Sequence, residues 1–477
     1  MKTLLFALNA SYSHSALSVR ALGGALARAG CAYEIYEATP AERTRSVLSR
    51  LAASDATLFG FSCYIWNLGD MLTLAEDLKT LRPDACIVLG GPEVSFDTER
   101  FATLPFVDCV ITGEGEEAIV TAAQVLAAGK QLPRVIAGKP YKEFLAQGIA
   151  YQRGEQVPHL VYYESSRGCP FSCAFCLSSA VEGVRAKSAA ETLADLAEFE
   201  TFDTPLTVKL VDRTFNFDRE RAKTIWRGLL EESYTKCYHF EIAAHLLDDE
   251  SIDILSQFPA GKVRLEIGLQ STNKKTLAAI SRHTDADAVL SVAHRLVAAG
   301  NTHVHLDLIA GLPYEDYASF AHSFDSAYFA SHVLQLGFLK ILHGTALCRD
   351  AQKYGIRYSK TPPYEVLSTN ELSFAELVRL HAVSDLMERL RDSGRFPHTL
   401  HLLMPAYFTP FAFYEGFSAY LEKTTGKPLQ KISQRDLFTH LSAFARERIP
   451  QKAHQALGER LRADFAMFEV RRPPKGL

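Results

Sequence analysis

The sequence predicts an α/β protein in three parts: an N-terminal doubly wound, Rossmann-like parallel sheet, a partial (β/α)6 barrel, and a helical C-terminal domain. Three observations lead there. Two successive series of short apolar runs alternate with amphipathic segments, the pattern of parallel strands joined by helices. Glycine-rich turns follow several runs of the first series, where such sheets hold ligands. Beyond about residue 361 the strand signal stops and helical periodicity takes over. At 477 residues, the chain exceeds the ~100–200 residues of one ordinary domain.

The first series places strands at 3–8, 33–37, 57–63, 86–89 and 107–111, a five-stranded sheet. Helical patterns at 17–28, 43–53, 69–81 and 116–126 lie between them. A weakly patterned stretch then reads as a linker. The second series places strands at 161–165, 206–211, 239–243, 263–269, 303–309 and 333–339, separated by helices at 189–199, 220–230, 250–258, 286–299 and 319–329. Six repeats are too many for one mononucleotide fold and too few for a closed eight-stranded barrel. Further helices are expected at 371–390 and 434–446, with no strand. The domain expectation is therefore 1–135 (sheet), 136–158 (linker), 159–345 (barrel) and 346–477 (helical).

Composition narrows the function classes. The chain is 47% hydrophobic and 22% charged, with 51 basic and 55 acidic residues, a net charge of −4. That balance offers no electrostatic footprint for nucleic acid or an anionic membrane. No apolar run approaches the ~18–20 residues of a membrane span. The start, Met1 to Leu8, lacks a small-residue cleavage site and reads as a strand, not a signal peptide. Nine cysteines, an odd number without a secretion signal, fit a reducing cytoplasm and point to metal or redox chemistry.

Cys169, Cys173 and Cys176 stand at C-x3-C-x2-C directly after the first barrel strand. At this cysteine content such a triplet occurs by chance on the order of 0.003 times per chain. A structural zinc site would want a second pair, and none follows. Three thiolates on a short loop suit a 4Fe–4S cube with one iron left open to a small molecule.

This loop, on a partial barrel, resembles that of the radical SAM enzymes, with an aromatic residue just before the third cysteine. The resemblance places Phe175 beside the adenine of S-adenosylmethionine, whose amine and carboxylate chelate the open iron. One-electron reduction of the sulfonium then releases a 5′-deoxyadenosyl radical that abstracts hydrogen. It further implies cofactor contacts at later strand ends: Asp212 and Thr214 after strand two, Glu241 and His245 around the end of strand three, Glu266 on strand four and Asp307 on strand five. The family's glycine-glycine-glutamate run is absent at Asp212–Asn216. Buried acids on strands need a partner, which draws Glu266 and Asp307 toward function.

The N-terminal sheet, with Gly90-Gly91-Pro92-Glu93-Val94-Ser95 and Gly113-Glu114-Gly115-Glu116 at its carboxyl edge, resembles the cobalamin-binding domain that precedes the barrel in one branch of that family. The likeness spans about residues 1–345. It implies cobalamin contacts from Asn9, Tyr12, His14, Ser62, Gly90, Gly91, Glu93, Ser95, Gly113 and Gly115. The resemblance places Glu93 and Ser95 against the corrin or its nucleotide tail and Tyr64 and Trp66 against the ring, with core packing the equal alternative for Trp66. The D-x-H-x-x-G pattern of many cobalamin domains is missing around Asn9–Ala16, so His14 is expected as a hydrogen-bonding loop residue near the corrin, not a cobalt ligand.

The aromatic run 407–417 reads as core, positioned to cap the barrel mouth and shield a radical from water. Residues 362–365 mark the hinge into it, and 471–475 read as a solvated tail. The reading that follows is a cobalamin-dependent radical SAM enzyme, a methyltransferase acting on an unactivated carbon. By the family's scheme cob(I)alamin takes a methyl from one S-adenosylmethionine and delivers it to a substrate radical made by a second. Non-methylating cyclisation, oxidation or rearrangement is the first alternative, and a cobalamin-binding sensor the second. Methylthiolation would need a second cluster from Cys31, Cys63, Cys86 and Cys109, of which the last three sit in or beside apolar strands. The expected partners are an organic substrate and a flavodoxin- or ferredoxin-like electron donor.

Overall fold

The computed structural model describes residues 1–180, 183–231, 234–468 and 474. Six parallel strands form the N-terminal sheet: β1 (Lys2–Leu8), β2 (Ala32–Ala38), β3 (Leu58–Ser62), β4 (Cys86–Gly90), β5 (Cys109–Thr112) and β6 (Val135–Ala137), in the order β2-β1-β3-β4-β5-β6. Helices bury both faces, Leu4, Phe6, Phe59 and Phe61 on one side and Leu5, Val19, Val88 and Ile119 on the other. This is why the central strands read as continuous apolar runs. The expected five strands become six, because β6 is a three-residue edge strand with no buried face and thus no apolar signature. Strand order reverses between β1 and β3, which opens a crevice at their carboxyl ends.

The stretch expected as a linker is packed. It forms one 3₁₀ turn, Lys142–Ala146, and buries Tyr141, Phe144 and Tyr151. The Tyr151 hydroxyl accepts from the Tyr162 amide at 2.9 Å and meets Ser15 Oγ at 2.7 Å, so it touches both flanking domains.

The barrel begins with β7 (Leu160–Tyr163), followed by a small antiparallel pair, β8 (Ser166–Gly168) and β9 (Val184–Ala186). It continues with β10 (Thr207–Leu210), β11 (Cys237–Ile242), β12 (Val263–Gln270), β13 (His303–Ala310) and β14 (Val333–Phe338). The six parallel strands run β14-β13-β12-β11-β10-β7, and β14 does not pair with β7, so the barrel stays open. Along β13 the residues alternate: Val304, Leu306, Leu308 and Ala310 are buried under the outer helices, whereas His303, His305 and Asp307 face the lumen. The barrel therefore has an apolar outside and a polar inside.

Beyond the barrel, β15 (Arg357–Tyr358) pairs antiparallel with β16 (Val366–Ser368), a short hairpin where no strand was expected. Both are too brief for a periodicity to register. Helices then follow at Phe374–Met387, Pro397–Leu403, Pro410–Thr425, Gln434–Arg446 and His454–Phe468. Phe411, Phe413, Tyr414 and Phe417 are buried, as expected of core, but the helix bearing them does not cap the barrel mouth. It packs on the barrel's outer helix Tyr317–Tyr328: Phe411 lies edge-on to Phe324 at 5.4 Å, and the Tyr328 and Tyr414 hydroxyls meet at 3.1 Å. That outer helix exposes an aromatic face of its own, which the incoming helix covers. Of the tail 471–475, only Pro474 lies among the described residues. No helix among the described residues is long and apolar enough to cross a membrane.

Candidate active site

The cysteine loop leaves β8 at Gly168, whose φ of +97° brings it so close to the Gly183 carbonyl that an added Cβ would lie 2.0 Å from that oxygen. Two backbone bonds fix the loop's middle: the Ala174 amide donates to Ile280 O at 2.9 Å, and Leu347 donates to Ala174 O at 2.8 Å. Cys169 Sγ lies 3.5 Å from Thr214 Oγ1. Cys173 Sγ accepts from Arg282 Nη1 at 3.7 Å, while the other end of that guanidinium bonds the Gly268 carbonyl. Burial pushes the Cys173 thiol up, and the Arg282 charge works against that.

All three cysteines line one cavity of about 340 Å³ at the carboxyl ends of the barrel strands. Phe175, Thr214, Glu241, His245, Glu266 and Asp307 line the same cavity, so the structure brings together six of the seven residues expected to meet S-adenosylmethionine. The exception is Asp212. It is fully buried beneath the loop, where it accepts from the Ser165 amide at 3.1 Å, from Ser165 Oγ at 2.6 Å and from Ser166 Oγ. Asp212 falls on the outward register of β10, with the buried Val208 and Leu210, so it braces the strand end and does not face the ligand space.

The cavity's floor is a charged cluster. Lys209 Nζ lies 2.8 Å from Glu266 Oε2 and 3.4 Å from Glu241 Oε1, and His239 Nε2 is 3.2 Å from Glu266 Oε2. Burial disfavours ionisation of Glu266, but His239 and the Lys209 ammonium outweigh it and hold the carboxyl down to about 2. Asp307 has no such partner. Burial, then repulsion by Glu266 and Glu241, pushes it up to about 8. Burial also lowers His245, reinforced by Arg282.

The residues present fit a cluster and a bound sulfonium cofactor. Among the described residues no three His, Cys, Asp or Glu side chains converge on a point where one metal ion could sit. A cube does not require that convergence, since each thiolate takes its own iron; a mononuclear zinc would. Asp307 Oδ1, Gln270 Oε1 and Arg282 Nε are buried without a hydrogen-bond partner in the protein, and all three residues line the cavity. Buried polar atoms of that kind call for a polar ligand. Gln270, Arg213, Arg282 and Lys209 were not singled out by the sequence. Lys209 shares the inward register of β10, a signal that was available, whereas Arg282 arrives from a loop between helices and carries none.

The carboxyl edge of the N-terminal sheet is arranged differently. Asn9 Nδ2 donates to His14 O at 3.1 Å and to Glu37 Oε2 at 2.7 Å, tying the first loop to β2. His14 Nδ1 meets the Tyr162 hydroxyl at 2.5 Å, so this imidazole is a tie to the barrel. Ser62 Oγ contacts Ser18 Oγ at 3.0 Å, and Ser95 Oγ donates to Gly91 O at 2.8 Å. Gly91 has φ +115° and packs so tightly that a Cβ would sit 2.4 Å from Cys63 O. Gly90, the last residue of β4, accepts the Cys63 amide at 2.7 Å. Gly113, at φ +70°, packs on Gly138, and Gly115 caps the helix Glu116–Ala127. Glu93 departs most from expectation. It is buried and accepts from the Tyr364 hydroxyl at 2.9 Å, so the C-terminal region, 271 residues away in sequence, engages its carboxylate. Tyr12 is exposed. Trp66 stacks on Tyr64 at 4.4 Å and is 56% exposed, so it is not core.

Cys63 and Cys109 are buried, and desolvation pushes their thiols up to about 12 and about 11. Cys86 and Cys109 begin β4 and β5 and Cys63 directly follows β3, so these thiols sit in or beside the sheet strands and do not share one loop as Cys169, Cys173 and Cys176 do.

Comparison with known proteins agrees with this organisation. Residues 4–123 match the B12 binding domain, residues 163–327 the radical SAM superfamily, and residues 352–476 a family described only as a protein of unknown function (DUF4080). The chain is 27% identical over 296 residues to the cobalamin-dependent radical SAM methyltransferase TokK of Streptomyces tokunonensis, covering 55% of this chain and 43% of that protein. It is 26% identical over 304 residues to the 2-(S-pantetheinyl)-carbapenam-3-carboxylate methyltransferase of Streptantibioticus cattleyicolor, covering 56% and 44%. The alignments thus span less than half the length of these curated relatives. The radical S-adenosylmethionine methyltransferase TsrM of Kitasatospora setae, solved with cobalamin and a [4Fe–4S] cluster, shares the fold over 98% of this chain and 99% of that one, with a TM-score of 0.64 at 13% identity. The matches follow the order of sheet, barrel and helices. The chain carries a B12 binding domain followed by a radical SAM domain. Its cofactors are those of the two domains: a 4Fe–4S cluster, S-adenosylmethionine and cobalamin.

Proposed function

We propose that this protein methylates an unactivated carbon of an organic substrate. The observation that carries the reading is the pairing of two ligand-ready edges in one chain, the three-thiol cavity of the barrel and the glycine-lined crevice of the sheet. When bound, the cluster with S-adenosylmethionine supplies a carbon-centred radical, and cobalamin supplies a methyl group.

Cys169, Cys173 and Cys176 would hold three irons. Arg282 donates toward Cys173 Sγ, which favours the thiolate form a cluster needs, and Thr214 Oγ1 lies beside Cys169 Sγ. Phe175 offers a flat face for adenine. Glu241 and Glu266 give the cavity floor carboxylates suited to a sulfonium and an ammonium, with Lys209 bridging the two, and Asp307 adds a carboxyl that stays protonated at neutrality. At the sheet edge, Gly91 and Gly113 let the turns pack closely on Cys63 and Gly138, and the exposed Tyr64–Trp66 stack offers an apolar face to a large flat ligand. A flavodoxin- or ferredoxin-like protein would deliver the electron in a cytoplasmic setting.

The test is anaerobic incubation of reconstituted enzyme with methyl-labelled S-adenosylmethionine and a reductant. The reading expects both S-adenosylhomocysteine and 5′-deoxyadenosine, with label entering the cobalamin. 5′-Deoxyadenosine alone would favour non-methylating radical chemistry. Neither product, with cobalamin bound, would favour a sensor.

A further inference from the structure

Arg167 sits on β8, two residues before Cys169, and its guanidinium joins the two domains. Nε donates to Glu164 Oε2 at 2.8 Å, Nη1 to Glu114 Oε2 at 2.8 Å and Nη2 to Glu116 Oε1 at 2.6 Å. Glu164 lies just past the end of β7, at the root of the cysteine loop. Glu114 and Glu116 belong to the Gly113–Glu116 turn at the carboxyl edge of β5. One planar fork thus holds the approach to the cluster loop and one loop of the cobalamin crevice in a single plane of charge-assisted bonds.

The surroundings make this fork rigid. The Arg167 side chain is 13% exposed and that of Glu116 5%. Phe144 lies under the guanidinium at 4.7 Å. A second arginine, Arg185 on β9, pairs with the other oxygen of Glu114 and donates to Tyr141 O at 2.9 Å, while the Tyr141 amide donates to Glu114 at 2.8 Å. The crevice has other anchors, His14 on Tyr162 and Glu93 on Tyr364. Neither of those reaches the cysteine loop. Among the described contacts, Arg167 joins a crevice loop to the segment that carries the three thiols.

We propose that Arg167 is a positioning residue that sets the distance and orientation between the cobalamin and the iron–sulfur cluster. The proposal rests on the cofactor assignment above. Its reason is geometric: a radical made at one cofactor and a methyl held by the other must meet at one substrate carbon, so a shift of about 1 Å between the domains lowers productive transfer steeply. Lysine keeps the charge at this position but cannot fork to three carboxylates. It is therefore the informative substitution, and glutamine the harsher one.

The experiment is pulsed electron paramagnetic resonance on holoenzyme carrying cob(II)alamin and the reduced cluster, which reads the distance between two unpaired spins and needs no substrate. Iron and cobalamin contents come first. A wild type that takes up iron but no cobalamin overturns the cofactor assignment, a failure distinct from that of the inference. With both loaded, the wild type is expected to give one narrow distance distribution. R167K is expected to retain iron and cobalamin within twofold and to give a broadened or shifted distribution; E116Q, which removes the charge from one of the three acceptors, is expected to give a smaller change. If R167K loads both cofactors and superimposes on the wild type, the proposal is wrong. Should R167K fail to fold, an unchanged distribution in E116Q and in E114Q overturns it equally.

Discussion

The two ligand edges of this molecule use their residues in opposite ways. At the barrel mouth, side chains from a loop and four successive strands leave their elements and converge on one cavity, with Asp307, Gln270 and Arg282 keeping unpaired polar atoms. At the sheet edge, Asn9, His14, Ser62, Glu93 and Ser95 turn away from open space and bond to neighbouring loops or to other domains. The barrel presents side-chain chemistry. The sheet presents backbone, shaped by glycines and held in place by its polar side chains. A small cation with several distinct groups suits the first surface, and a broad flat ligand the second.

That contrast predicts a graded series of effects. Removing a thiol acts on chemistry outright: C173A should lose the cluster's iron and reduce S-adenosylmethionine cleavage to background, and cleavage at the wild-type rate would show that the loop is not the iron site. D212N removes the charge of a buried carboxylate with three donors, so it should cost about 3 kcal/mol of stability. Its effect should appear as a lower Tm, with S-adenosylmethionine affinity in the folded enzyme within twofold of wild type. Weak binding at an unchanged Tm would return Asp212 to the cofactor site.

On the sheet, G91A meets both a positive φ and a 2.4 Å approach to Cys63 O. It should cost at least about 1 kcal/mol by thermal melt and lower cobalamin uptake, while leaving iron content unchanged. Loss of iron instead would mean the two edges are not independent.

The smallest effect concerns pH. Asp307, raised to about 8, holds its proton at neutrality and becomes anionic only above that value. A cationic ligand prefers the anion, so S-adenosylmethionine affinity should rise with pH, by up to about tenfold per unit below 8, and level off beyond it. In the unliganded protein the sign is reversed: the folded state binds the extra proton between the ordinary carboxylate range and 8, so stability falls as pH rises through that window. D307N should flatten the affinity profile, and calorimetric titration across this pH range reads it. A profile that keeps its slope in D307N would assign the titration to another group.

How much was legible in the sequence follows the same division. All six barrel strands and the cysteine loop could be read, because each rests on local information, a period of two or a fixed spacing. Even the misreading of Asp212 had a local remedy: β10 alternates Val208, Leu210 and Asp212 outward against Thr207, Lys209 and Arg213 inward, so the register points to Lys209 and Arg213. The roles of His14, Glu93 and Arg167 were hidden because their partners, Tyr162, Tyr364 and the Glu114–Glu116 pair, lie 148, 271 and about 50 residues away. No periodicity encodes those pairings. The strand β6 and the packed segment 138–159 escaped for a related reason, since what orders them is the surface they land on.

The account stands on one chain holding both cofactors at two separate edges. Its most direct test is the iron and cobalt content of anaerobically reconstituted protein, measured with its absorption spectrum for the wild type and for C173A. The account predicts a 4Fe–4S cluster's iron and one equivalent of cobalamin in the wild type, and cobalamin without iron in C173A. Iron that survives in C173A, or a wild type that binds no cobalamin, would contradict it.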